Sequence, residues 1–75
     1  MIGLTDRQRE VLSLVVHLGK ALGAPPTSAE IAAHLGISRT AVDQHISALC
    51  RKGRLSREPG RSRNIRVLDD SEVTR

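Results

Sequence analysis

The stretch Thr27-Ser28-Ala29-Glu30-Ile31-Ala32-Ala33-His34-Leu35-Gly36-Ile37-Ser38-Arg39-Thr40-Ala41-Val42 decides the fold. It holds two helix starts separated by one helix stop. Thr27 followed three residues later by Glu30 is a capping box: the threonine oxygen accepts from the third helical amide, and the glutamate returns a bond to the cap. Ile31, Ala32 and Leu35 then form a short apolar face, and Gly36, able to take the left-handed backbone that ends helices, closes about two turns. Ser38 caps the next helix, predicted from Arg39 to about Lys52, with Val42, Ile46 and Leu49 as its buried stripe and Gly53 as its stop. Two short helices joined in three or four residues through a glycine form the helix-turn-helix pattern, which lays the later helix across the earlier one.

Upstream, Thr5 and Gln8 form a second capping box. Val11, Leu14, Val15, Leu18, Ala21 and Leu22 then fall on one arc at helical spacing, with Ser13, His17 and Lys20 opposite. That helix is predicted to stop at Gly23, before Pro25-Pro26, which have no amide to donate. Downstream the period shortens: Leu55 stands between Arg54 and Ser56, and Ile65 and Val67 flank Arg66, with Pro59-Gly60 between the two runs, as in a β-hairpin. Residues 69–75 show no periodicity and are expected to fray as a flexible acidic tail or linker stub. The expected architecture is mainly α with a small β-hairpin: a winged helix-turn-helix over residues 1–68, three helices plus a two-stranded wing.

With 75 residues, the chain holds one small domain,. It has no Phe, Trp or Tyr, so Leu, Ile, Val and Ala must build the core. So small a core leaves little room for a desolvated catalytic pocket, and neither an enzyme nor catalytic residues are expected. His17, His34 and His45 are scattered and Cys50 is alone, so no metal site, cofactor or internal disulfide is expected. Cys50 is read as a packing residue; redox sensing, which a thiol pKa lowered by its basic neighbours would allow, is the disfavoured alternative. No apolar run exceeds three residues and no signal pattern opens the chain, which predicts a cytoplasmic protein without a membrane partner or an evident small-molecule ligand.

The charge is unevenly placed. The chain carries a net +4 with a pI near 10.6. Residues 1–50 hold four basic and four acidic side chains, whereas residues 51–66 hold seven basic and one acidic. The excess therefore sits at the end of the third helix and on the hairpin, where a phosphate backbone would run, and its abutment on a helix-turn-helix favours DNA over a merely solvated basic surface. On the third helix, Arg39, Thr40, Asp43, Gln44 and Ser47 are candidate base contacts: Arg39 for guanine, Gln44 for adenine and Asp43 for cytosine N4. Arg39 and Asp43, spaced i,i+4, equally suit a local ion pair. Candidate phosphate contacts are Arg7, Thr27, Ser28, Arg51, Lys52, Arg54, Arg57, Arg61, Ser62 and Arg63, with Arg61 and Arg63 near the hairpin tip foremost. For Thr27 and Ser28, simple capping is the alternative. About five neutralised phosphates per chain would give a log–log salt slope near −4.5.

The order and spacing of Leu4-Thr5, Arg7-Gln8, Glu10-Val11, Pro25-Pro26-Thr27, Glu30-Ile31-Ala32, Leu35-Gly36, His45, Ala48-Leu49, Arg51-Lys52-Gly53 and Ser62-Arg63 resemble the amino-terminal winged helix-turn-helix domain of the LexA repressor family. The resemblance covers residues 4 to about 68. It implies a third helix in the major groove and transcriptional repression, commonly within the DNA-damage (SOS) response, in the bacterial nucleoid or a phage-infected cell. The entry to helix three, Ser38-Arg39-Thr40, is one residue shorter than the usual family form, and Asp43-Gln44 stands where acidic residues are common. LexA repressors continue into a dimerisation and self-cleavage domain that has no counterpart in residues 1–75, so no cleavage chemistry is carried over. Both a domain of a longer repressor and a free-standing regulator fit the sequence.

Three function classes follow. Sequence-specific duplex DNA binding is favoured, with a homodimer on half-sites about one helical turn apart giving useful affinity. RNA or single-strand binding lacks the aromatic rings on which bases stack. A small protein-interaction module such as an antirepressor, or a nonspecific nucleic-acid binder, is the alternative, distinguished by whether a salt-sensitive and sequence-selective DNA affinity exists.

Overall fold

A computed structural model describes residues 3–60, 63–71 and 73. Helix α1 runs Asp6–Leu22, α2 Ser28–Leu35 and α3 Arg39–Arg51; strand β1, Leu55–Arg57, pairs antiparallel with β2, Ile65–Val67. Leu55 lies opposite Val67, Ser56 opposite Arg66 and Arg57 opposite Ile65. This is the winged helix-turn-helix expected from the sequence.

Local chemistry fixes the element ends. Both capping boxes form, with Thr5 and Gln8 closing α1 and Thr27 and Glu30 closing α2. Ser38 Oγ accepts from the Ala41 amide at 3.1 Å to start α3. Gly36 ends α2 at φ 67°, a backbone conformation that side-chain-bearing residues adopt only with strain, and Gly36-Ile37-Ser38 suffices to join α2 to α3,. At the other end of α3 the Arg54 amide donates to the Leu49 carbonyl at 2.9 Å and the Gly53 amide to Cys50 at 3.1 Å. This closure, with Gly53 at φ 76°, turns the chain straight into β1,.

The core lies between the three helices and the inner face of the wing. Val42, Ile46 and Leu49 of α3 are fully buried, with Ile31 of α2, Leu55 of β1 and Ile65 of β2 packed in the same cluster. The α3 stripe is therefore as its periodicity predicts. The buried side of α1 is not: it consists of Val11, Leu12, Val15 and Val16, while Leu14 and Leu18 are half-buried and Ala21 and Leu22 are exposed. Neighbours explain the correction. α1 packs against α3, α2 and β2 together, so its covered arc widens to Leu12 and Val16, while its last turn extends past the core. Pro26, recognisable in sequence as a helix stop, is also fully buried.

After β2 the chain stays tied to the domain for several residues. The Leu68 and Asp69 amides donate to the Arg54 carbonyl at 2.9 and 3.2 Å, and Val73 packs against the core cluster beside Leu14 and Leu35. Among the described residues no helix is long and apolar enough to cross a membrane.

Candidate nucleic-acid interface

The buried stripe of α3 leaves its opposite face outward. Thr40, Asp43, Gln44, Ser47 and Arg51 line one shallow depression of about 290 Å³ on that face. Four of the five proposed base contacts thus share a surface, and Arg39 stands exposed at its amino-terminal edge. Thr40, Gln44 and Ser47 are exposed and uncharged, offering both donors and acceptors,. Arg39 and Arg51 are exposed and make no hydrogen bond or ion pair among the described residues.

Asp43 is placed differently from its neighbours. Its Oδ1 accepts from the Ser28 hydroxyl at 2.6 Å and from Arg57 Nη2 at 2.8 Å. The Ser28 hydrogen bond, then the Arg57 guanidinium, holds the Asp43 carboxyl below the usual aspartate range. Of the two partners weighed for Asp43, base and Arg39, neither is the one bonded in the free chain; Arg39 acts on Asp43 only through its field. Ser28 itself is buried, at 8% exposure, so its hydroxyl is turned into the domain.

The wing is held at a second point. Arg63 donates to both Glu30 carboxylate oxygens, at 2.8 and 3.1 Å, and to the Pro25 carbonyl at 2.9 Å. Glu30 Oε1 also accepts from the Thr27 amide at 2.8 Å, so the capping glutamate of α2 is at the same time the anchor of the wing. The Arg63 hydrogen bonds, followed by the Thr27 amide, lower the Glu30 pKa to about 2, and the same pair raises that of Arg63. Nothing short-range in the sequence signals this, because Glu30 is already explained by the cap.

The remaining phosphate candidates divide by surroundings. Lys52 Nζ donates to the Gly3 carbonyl at 2.9 Å and to Gln8 Oε1 at 2.7 Å, which fastens the end of α3 to the start of α1. Arg54 Nη1 donates to the Lys52 carbonyl at 2.7 Å. Arg7 lies 3.8 Å from Glu10 in an exposed pair of little strength, and Thr27 Oγ1 accepts from the Glu30 amide,. Arg61 and Ser62 lie outside the described residues. Arg66, also on the hairpin, is 3.8 Å from Glu58.

The other chemistry-bearing side chains are dispersed. His17 Nδ1 lies 2.7 Å from the Ser13 carbonyl oxygen of its own helix, and His34 is exposed. Cys50 is half-buried against the core, as its reading as a packing residue has it, and burial raises its thiol pKa more than the Arg57 charge lowers it. Among the described residues, no three His, Cys, Asp or Glu side chains are grouped to hold a metal.

Comparison with known proteins agrees with this geometry. Residues 1–64 match the family described as the LexA DNA binding domain. The chain is 49% identical over 70 residues to the LexA repressor of Herminiimonas arsenicoxydans, covering 92% of this chain and 32% of that protein. It is 49% identical over 69 residues to the LexA repressor of Haemophilus influenzae (strain PittGG), covering 91% and 33%, and 49% identical over 70 residues to that of Pseudoalteromonas atlantica, covering 92% and 34%. The chain therefore spans about a third of the length of these relatives. With the fold, the outward α3 face and a family match running through the helix-turn-helix and into the wing, this chain belongs to the LexA DNA-binding domain family.

Proposed function

We propose that this domain binds duplex DNA in a sequence-specific manner, with α3 in the major groove, and serves as the operator-reading part of a transcriptional repressor of the SOS type. The observation that carries the reading is the α3 surface: Thr40, Gln44 and Ser47 exposed between Arg39 and Arg51, which are unpaired among the described residues, backed by a fully buried Val42, Ile46 and Leu49. A rigid helix with a fixed inner face presents its outer side chains in a defined register, which base-edge recognition requires. In this reading Gln44 makes the bidentate adenine contact, Arg39 and Arg51 bracket it, and residues 1–68 are the DNA-binding unit. The wing lies along the flanking backbone. Two copies on inverted half-sites supply operator affinity that one small module lacks. The relatives' shared name, LexA repressor, supports repression as the outcome.

Selection of bound duplexes from a random library at physiological salt tests the proposal. The expected result is an enriched motif in two inverted copies at fixed spacing. Gln44→Ala should relax base preference at one position in each half-site at a cost of about 1–3 kcal/mol. Retention without enrichment would replace the reading with nonspecific nucleic-acid binding, and no retention with a protein-interaction module.

A further inference from the structure

We propose that Asp43 restrains sequence-independent DNA binding by acting on the wing: it holds Arg57 away from phosphate, so that the domain's affinity for DNA of arbitrary sequence is reduced. The inference rests on the DNA-binding reading above. Three elements meet at this point, since Ser28 opens α2, Asp43 sits on the outward face of α3 and Arg57 ends β1. Arg57 Nη2 is 2.8 Å from Asp43 Oδ1 and 3.3 Å from Ser28 Oγ, and the buried Ser28 hydroxyl donates to the same carboxylate oxygen at 2.6 Å. The carboxylate is thus fixed from behind while it holds the arginine from the front. Arg57 and Asp43 side chains remain 36% and 42% exposed, so a phosphate reaching this edge of α3 competes with the carboxylate for one guanidinium.

Exchanging an aspartate for a phosphate leaves the arginine equally neutralised and releases no net counterion, so Arg57 adds nothing to nonspecific attraction while the pair is closed. Asparagine at position 43 keeps an oxygen for Ser28 and removes the charge that holds Arg57. Asp43 is accordingly a positioning residue, and its loss should strengthen binding to DNA of any sequence, whereas loss of a merely structural contact would weaken it.

The test is a double-variant cycle of wild type, Asp43→Asn, Arg57→Ala and the combination. It is read as affinity and salt slope on a random-sequence duplex and as the salt needed for elution from heparin, with thermal melts to confirm folding. Asp43→Asn should bind random duplex up to about fivefold more tightly, and its salt slope should steepen by about 0.9, one additional phosphate. Both gains should vanish in the Arg57→Ala background. Equal gains with and without Arg57 would show a general charge effect and overturn the proposal, as would an unchanged or weaker Asp43→Asn. If wild type is retained by heparin but has no duplex affinity, the DNA-binding reading alone fails. The restraint on Arg57 is then decided by heparin elution, where an Arg57-dependent shift to higher salt supports it and no shift overturns it.

Discussion

Ionic strength is the perturbation that discriminates most sharply between counting the charges of the wing and seeing what they touch. Five phosphate contacts, the number suggested by the basic run, would give a slope near −4.5, so affinity would fall about 500-fold between 50 and 200 mM salt. In the folded chain Arg57 and Arg63 each lie 2.8 Å from a carboxylate oxygen, of Asp43 and Glu30 respectively. A phosphate that replaces either carboxylate gains no counterion release, which leaves about three effective contacts and a slope near −2.7, or about a 40-fold loss over the same range. The assay is fluorescence anisotropy of a labelled duplex bearing a single half-site of the selected motif, so that one chain binds per duplex, titrated at four or more potassium chloride concentrations. A wild-type slope of −4.5 or steeper would refute the reasoning, because it requires both arginines to act as uncompensated cations.

Other outcomes follow from single observations. Leu55 is 1% exposed and carries β1 into the core, so Leu55→Ala should cost about 2–5 kcal/mol and lower Tm by roughly 10 °C or more; a drop below about 3 °C on thermal circular dichroism would mean that the wing does not help close the core. Glu30 has its pKa lowered from 4.5 to about 2 in the folded chain, so its contribution to stability is complete above pH 4.5 and is lost as pH falls toward 2. Wild type should therefore lose more Tm across that window than Glu30→Gln, and parallel curves would count against a persistent Arg63–Glu30 pair. Burial raises the Cys50 thiol pKa, so iodoacetamide should label it more slowly in the folded domain than in urea at the same pH. Equal rates under the two conditions would show an open thiol.

The parts of the fold that were legible in the sequence are those written within three or four residues. Thr27 and Glu30 reveal the start of α2, Gly36 its end and Ser38 the next start, because caps and left-handed stops are local chemistry,. The stripe of Val42, Ile46 and Leu49 was legible because α3 is covered on one side only. The widening of the covered arc of α1 to Leu12 and Val16 was not, since it depends on how α2, α3 and β2, all distant in sequence, pack against that helix. The candidate site divides along the same line. Thr40, Gln44 and Ser47 could be placed on an outward face from helical period alone. The partners of Arg57 and Arg63 lie 14 and 33 residues away in Asp43 and Glu30, beyond any local signal.

That separation changes what the uneven charge distribution means. Residues 1–50 have as many acidic as basic side chains, so they contribute no net charge to a segment count. Yet two of their four acids, Glu30 and Asp43, are the groups that receive the wing arginines. The positive field still extends beyond the wing and draws a polyanion toward it, because distant phosphates respond to net charge. At contact distance the arrangement is more selective. Arg39 and Arg51, unpaired among the described residues, stand with uncharged Thr40, Gln44 and Ser47 on α3, whereas Arg57 and Arg63 must first leave or share a carboxylate. On the proposed DNA-binding reading, attraction and discrimination thereby fall to different elements: the wing supplies a restrained cation surface, and the outer face of α3 carries the side chains proposed to distinguish one base from another.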